Sequence, residues 1–410
     1  MRILQVCKKF PYPLRDGEVI AIHQLTRGFH DAGHKVTVAA INTRKHFFPP
    51  AELPVENQEL ADFHSVLLDT DVNWWDALRS MFRGDSYNIQ RFVSPDFEKL
   101  LSGILLKNEF DIVQLEGLYL LPYLLTVRKY SKAKVVLRAH NIEHLIWERN
   151  SKLVKTGAKK WYLQTLAARM KEFEIYNINS CDALIPISDV DAAKFIELGC
   201  KLPIHSCPIG MNINGSLTVS DKISFKFPER EIAEEKDSLA YIGSMDWLPN
   251  REGIEWFLEK VWPKVHGQYP KAKLFLAGRN FPEDFPDTKQ PNLELVGEVE
   301  NARAFIRSKA IIIVPLFSGS GIRVKIIEAM AEGKPVIATT VAAEGIDITN
   351  GENILIADDA DGFARHIKKC LNDAEFAHQL GENSRTFVKQ HYDIRKHIEH
   401  LLQFYQSLLK

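Results

Sequence analysis

Short, unbroken apolar runs recur along the chain, and between them apolar residues return every three or four positions. A continuous short run fits a strand buried on both faces, and the longer period fits a helix packed on one side. The runs fall at 2–6, 36–40, 65–68, 112–115, 135–139 and 183–186, then at 239–242, 273–277, 293–296, 311–315, 336–338 and 354–356. Strand alternating with helix from end to end predicts α/β layers built on parallel sheets. Periodicity lapses over the charged segment 216–236, which reads as a linker. Domains are therefore expected at 1–215 and 237–389. A helical pattern at 394–409 places a terminal helix within about 390–410, free to pack back on the first domain. The expected fold class is two facing Rossmann-like, doubly wound domains, with the ligand in a cleft at the carboxyl ends of both sheets.

One stretch carries candidate chemistry. The run from Ala310 to Leu316 reads as a buried strand, followed by the small-residue loop Phe317-Ser318-Gly319-Ser320-Gly321. A helix is expected from about Ile322 to Glu332, closed by Gly333, with a further strand after it. A glycine loop feeding a helix N-terminus presents N–H groups and a positive dipole end, which suits a phosphate. Helical spacing puts Gly321, Lys325 and Glu328 on one stripe, and Ile322, Ile326 and Ala329 on its apolar neighbour. The cation suits a diphosphate and the carboxylate a pair of sugar hydroxyls. The plainer alternative is an ordinary surface pair between Lys325 and Glu328 at i,i+3.

The 410 residues suit two domains, and 45% hydrophobic with 26% charged residues suits real cores. A formal net charge of -1 argues against bulk nucleic-acid binding. Five cysteines, at 7, 181, 200, 207 and 370, show neither metal spacing nor a disulfide framework and fit a reducing compartment. No apolar run approaches a membrane span, and the N-terminus is too briefly apolar for a signal peptide. A cytoplasmic protein is expected, with peripheral contact at the inner membrane face as an open alternative. Trp74, Trp75, Leu78, Met81 and Phe82 interleave with Arg79 and Arg83, and Lys159-Lys160-Trp161 adds a second basic-aromatic cluster. Core packing is the default for such a stripe, and an acceptor or membrane interface is the functional alternative.

Two histidines stand four apart in His140-Asn141-Ile142-Glu143-His144, but the His-Glu-x-x-His order of a zinc helix is absent. One reading is a polar helix start capped by Asn141. The other places His140, at a strand's carboxyl end, facing the cleft. Asp69-Thr70-Asp71 ends a strand and reads as a polar turn rather than a metal site.

With two Rossmann-like halves, the segment Glu328-Ala329-Met330-Ala331-Glu332-Gly333-Lys334-Pro335-Val336-Ile337 resembles that of a GT-B glycosyltransferase of family 4 (glycosyl transferases group 1). Pro11-Tyr12-Pro13 with Asp16-Gly17 resembles that family's N-terminal glycine loop, and Phe110 to Gly117 its strand-end catalytic region. Cys207-Pro208-Ile209-Gly210-Met211-Asn212 resembles its interdomain segment, and Tyr241 to Trp247 the opening of its nucleotide-binding domain. The resemblance implies retaining transfer of a sugar from a nucleoside-diphosphate sugar to a glycan, lipid-linked or small-molecule acceptor, in cell-surface polysaccharide or glycoconjugate synthesis. No metal and no cofactor is implied. Glu116, His140, Arg323 and Lys325 become the catalytic candidates. The donor candidates are Gly17, Gly243, Arg279, Val296, Gly297, Gly319, Ser320, Gly321, Ile322 and Glu328. The chain departs from the family at Ser320, where a first glutamate is usual, at Ser244 to Gly253, where an Arg and a Lys are usual, and at Glu116, where a histidine is common. A sugar-nucleotide epimerase and a catalytically inactive nucleotide-binding protein remain the alternatives.

Overall fold

The computed structural model describes residues 1–14, 17–70, 86–154, 157–211, 234–282, 285, 290–319 and 321–410. Ser320, Asp16, Asp71 and the aromatic-basic stretch from Trp74 to Arg83 lie outside the described residues, as do Asn212 and most of the expected linker. The strands are β1 (Arg2–Cys7), β2 (Lys35–Thr43), β3 (Asp62–Leu68), β4 (Ile112–Glu116), β5 (Lys134–Ala139) and β6 (Ala183–Pro186), then β7 (Glu235–Ile242), β8 (Lys273–Ala277), β9 (Leu293–Gly297), β10 (Lys309–Val314), β11 (Val336–Ala338) and β12 (Leu355–Ile356). Each expected strand is present. Two ends extend past their apolar runs because polar side chains there are satisfied. Asn42, near the end of β2, exchanges hydrogen bonds with the Phe48 backbone. Glu235, inside the expected linker, opens β7 with its carboxylate held by Lys273 and Lys309 at 2.8 and 2.7 Å.

The chain divides into two compact units, Met1–Gly210 with Ile394–Lys410, and Met211–Asp393. In the first, a parallel sheet runs β3-β2-β1-β4-β5-β6. Side chains alternate across it, as the strand period of two requires. Leu4, Val6, Val113, Leu115, Val135 and Leu137 join one apolar layer with Phe97 and Leu101 of the helix Pro95–Lys107. Ile3, Val38, Ala40, Ile112 and Val136 join the other, with Ile22, Leu25 and Phe29 of the helix Gly17–Asp31. The terminal helix Ile394–Leu409 completes that second layer through Ile398, Leu401, Leu402 and Tyr405. It seats closely: a Cβ added at Gly28 would lie 1.7 Å from Ile398 Cδ1.

The second unit repeats the plan with the order β12-β11-β10-β7-β8-β9, again all parallel. Leu239, Tyr241, Leu274, Leu276, Ile311 and Ile313 pack with Ile254, Phe257, Trp262 and Phe363. The helix Val324–Ala331 packs on β11 and on the helices Ala302–Arg307 and Ala374–His391, burying Ile326, Ile327, Ala329 and Met330. It stops in a left-handed turn at Gly333 (φ 67°), where Gly333 N–H donates to the Met330 carbonyl and Lys334 N–H to that of Ala329. In both sheets strand order reverses beside the first strand of the unit, which leaves the carboxyl ends of β1/β4 and β7/β10 as crevices.

The β7/β10 crevice depends on backbone proximity. Gly253, in the helix Leu248–Trp256, lies where a Cβ would stand 2.1 Å from the Pro315 carbonyl oxygen. Nothing flexible can yield there. Gly253→Ala is expected to cost about 1–3 kcal/mol by overpacking. Thermal unfolding tests this: a midpoint within error of wild type would contradict the close approach.

Candidate functional site

At the β7/β10 reversal the chain leaves β10 through Pro315, Leu316 and Phe317 and turns at Gly319 (φ 102°) and Gly321 (φ 78°). The helix begins at Val324, two residues later than the spacing predicted, with Arg323 as its extended N-cap. Gly321 and Ile322 therefore belong to the loop, and the stripe keeps only Lys325 and Glu328. The cause is the pair of left-handed glycines, which the guanidinium of Arg323 locks from inside. Its Nη1 donates to the Gly321 carbonyl at 2.6 Å and its Nη2 to that of Ser318 at 3.4 Å. Arg323 is buried, and its guanidinium carbon lies 5.7 Å from the Trp247 ring centroid. Arg323, expected to face the phosphate, here holds the loop.

Lys325 is the cation that reaches the crevice. Its Nζ donates to the Tyr241 hydroxyl at 2.8 Å and to Asn250 Oδ1 at 3.3 Å, over the end of β7. Gly243 makes room, since a Cβ there would stand 2.5 Å from that Nζ. Burial, and then the charge of Arg323, pull the Lys325 ammonium down to about 7, against the opposing pull of Glu328. Burial pushes the Glu328 carboxyl up to about 7, with Arg303 and Lys325 opposing. Among the described residues the Glu328 carboxylate makes no hydrogen bond and no ion pair. The neighbouring Glu332 is fully engaged, by Arg303 at 2.5 Å and Arg307 at 2.8 Å. The surface-pair alternative for Lys325 and Glu328 is not what forms: Lys325 Nζ is held by Tyr241 and Asn250 instead.

The other expected donor positions gather at adjacent strand ends. Gly243 N–H donates to Ala277, Gly278 N–H to Gly297 and Met245 N–H to Arg279. Gly278 takes φ 146°, and a Cβ there would stand 1.8 Å from the Gly243 carbonyl oxygen. Gly243, Arg279 and Gly297 therefore lie side by side, with the half-exposed Val296 beside them.

In the first unit the β1/β4 crevice holds a second cluster. Glu116 ends β4 with no accessible surface. Gln114 and Gln5 donate to its Oε1, His140 Nε2 donates to its Oε2 at 2.8 Å, and Arg138 Nε lies 3.8 Å from Oε2. The expectation that Glu116 reaches sugar hydroxyls is corrected, because interior donors occupy both oxygens. His140 is the outward member of the pair. A carboxylate oxygen only accepts, so Nε2 carries the proton in that bond and Nδ1 is the ring nitrogen left for another partner. Nδ1 has no hydrogen-bond partner among the described residues.

Sequence reasoning missed the charged rim of this crevice. Lys8 Nζ lies 3.3 Å and Lys9 Nζ 3.5 Å from Glu18 Oε2, in the first turn of the helix that Gly17 opens. Burial works to raise Glu18, but Lys8, Lys9 and His140 hold it down to about 2. Lys8 also sits 4.4 Å over the Tyr119 ring, and the Tyr119 hydroxyl donates to Glu143 at 2.8 Å. The available signal was positional: Lys8 follows β1 at its carboxyl end, and Glu18 occupies a helix first turn.

Asn141 is not a cap. The helix Glu143–Leu153 is capped from outside, by Glu174 of the helix Ala158–Asn177. Its carboxylate accepts from the N–H groups of Glu143 (3.1 Å) and His144 (3.2 Å) and from His144 Nδ1 (2.6 Å). His140 and His144 therefore serve different carboxylates. Among the described residues no cluster of three His, Cys, Asp or Glu could hold a metal. Asp69 is paired with Arg44 at 2.8 Å. Trp161 is exposed. No helix among the described residues is long and apolar enough to cross a membrane.

Residues 16–214 match the family model described as Glycosyltransferase Family 4, and residues 236–373 that described as Glycosyl transferases group 1. An uncharacterized 44.6 kDa protein in the cps region of Klebsiella pneumoniae is 25% identical over 307 residues, 72% of this chain and 74% of its own length. Sucrose-phosphate synthase from Thermosynechococcus elongatus matches with a TM-score of 0.70 at 17% identity, covering 100% of this chain and 99% of the other. Anabaena HepE in complex with UDP matches with a TM-score of 0.67 at 13% identity, covering 99% and 100%. These structural likenesses show a GT-B fold.

Removing the external cap should be costly, since it leaves a buried imidazole and two helix N–H groups without their acceptor. Glu174→Ala is expected to destabilise by about 2–4 kcal/mol. Denaturant unfolding checks this, and a change below about 0.5 kcal/mol would show that water replaces the carboxylate freely.

Proposed function

Because the chain belongs to the family 4 GT-B glycosyltransferases (glycosyl transferases group 1), whose two models together span most of it, we propose that it transfers a sugar, with retention, from a nucleoside-diphosphate sugar to an acceptor hydroxyl. The observation that carries this reading is the β7/β10 crevice. There, among the described residues, a half-buried ammonium held only by a phenol and an amide and a half-buried carboxylate without a hydrogen bond stand one helical turn apart. A diphosphate supplies the charge that Lys325 lacks, and ribose hydroxyls supply the donors that Glu328 lacks. The loop leading into the helix Val324–Ala331 and the N-terminus of that helix add backbone N–H groups and a positive dipole end. Arg323 contributes by keeping that loop in shape. The base lies near Arg279, Val296 and Gly297. The UDP-bound HepE neighbour supports beginning a donor panel with UDP-sugars.

In this mechanism the departing diphosphate takes the acceptor proton, and Lys325 stabilises the charge that develops on it. His140 presents Nδ1 to a sugar or acceptor hydroxyl. No metal is needed, since an ammonium and a helix N-terminus do the neutralising. The acceptor is a glycan, a lipid-linked sugar or a small molecule chosen by the first unit. We place the reaction in cell-surface polysaccharide or glycoconjugate synthesis, a reading supported by the relative from the cps region. Five free, buried cysteines fit a cytoplasmic setting. Peripheral membrane contact rests on the exposed Trp161 and on sequence outside the described residues.

Release of nucleoside diphosphate across a donor and acceptor panel, with and without EDTA, tests the assignment. Turnover only with acceptor, unaffected by EDTA, supports it. Conversion of the donor alone indicates an epimerase, binding without turnover an inactive protein, and restoration by manganese after EDTA a metal enzyme. Lys325→Ala is expected to lose about 2–4 kcal/mol of transition-state stabilisation, read from kcat/KM in a folded variant.

The pH dependence has a definite form. Binding needs Lys325 protonated and Glu328 ionised, and both titrate at about 7. Affinity for UDP is expected to peak near pH 7 and to fall on both sides. In Lys325→Ala the alkaline fall disappears, and in Glu328→Gln the acid fall disappears. Calorimetry across this range decides it, and parallel profiles in all three proteins would remove both residues from the site.

A further inference from the structure

The His140–Glu116 pair does not end at Glu116. Gln114 Nε2 donates to Glu116 Oε1, and the Tyr405 hydroxyl donates to Gln114 Oε1. Tyr405 belongs to the terminal helix and lies 291 residues from Gln114 in sequence. All four side chains are buried, Glu116, Gln114 and Tyr405 with no accessible surface. We propose that Tyr405 is a positioning residue for His140, acting through Gln114 and Glu116. This rests on the reading above that His140 faces substrate.

An amide has one accepting and one donating end. With the Tyr405 hydroxyl on its oxygen, Gln114 turns its NH2 toward Glu116. Gln5 adds a second donor to the same Oε1 at 3.4 Å. Oε1 is thereby occupied, and Oε2 is left for His140 Nε2–H. That bond sets both the tautomer and the ring plane and leaves Nδ1 outward. Arg138, itself buried, supplies the compensating charge beside the carboxylate. Without the Tyr405 hydroxyl the Gln114 amide is released to flip, which would set its oxygen against a buried carboxylate. A chain of hydrogen bonds in a medium of low dielectric transmits such a loss because each bond orients the next.

The tests are Tyr405→Phe, which keeps the ring that packs 6.0 Å from Phe29, and Gln114→Met, which breaks the chain at its middle. Each is read in the full-length protein by His-selective 15N NMR, with the His140 signal identified by its loss in His140→Asn. Wild type is expected to show His140 as the Nε2–H tautomer. Both variants should shift it to a mixture and lower kcat about tenfold with KM within about twofold, and the double variant should be no worse than either single. An unchanged His140 tautomer and unchanged kcat in both folded variants would overturn the relay. A shifted tautomer, with full turnover in His140→Asn, would support the relay and overturn the substrate-facing reading of His140.

Discussion

A parallel sheet wound outward in both directions from its first strand must part its connections at that strand's carboxyl end. Right-handed crossovers send one connection to each face, so neighbouring loops diverge and leave a crevice. This constraint operates twice here, at β1/β4 and at β7/β10. In the second unit, glycines bring the backbone to its limit around the crevice. Gly253 lies against Pro315, and Gly278 against Gly243. Those close approaches carry the Tyr241, Asn250 and Lys325 side chains to one point.

The two crevices treat buried charge in opposite ways. In the first unit three carboxylates have charged or polar partners. Glu116 has Arg138, His140 and two amides, Glu18 has two lysines, and Glu174 has an imidazole and two backbone donors. An interior charge persists when paired and hydrogen-bonded, so these groups behave as fixed scaffolding. In the second unit Lys325 and Glu328 are half-buried, Glu328 with no hydrogen bond among the described residues, and both shift toward neutrality. Groups moved from both directions to a common value in one crevice are poised for a ligand that carries the missing partners.

The alternation of apolar runs with helical periods determined the architecture. Two Rossmann-like layers, each strand, and the helix Ile394–Leu409 are legible from it, because burial on both faces forces a continuous apolar run whatever the surroundings. Strand ends were less legible where polar residues are satisfied by distant partners, as Glu235 is by Lys309. Lys325 and Glu328 were legible as a site because their spacing is local. Only the tertiary structure decided which side chain meets which. Arg323 turned inward to its own loop, Asn141 gave up the cap to Glu174, and Tyr405 joined Gln114 across the length of the chain. A hydrogen bond between side chains far apart in sequence depends on rotamer and packing, and neither leaves a periodic trace along the chain.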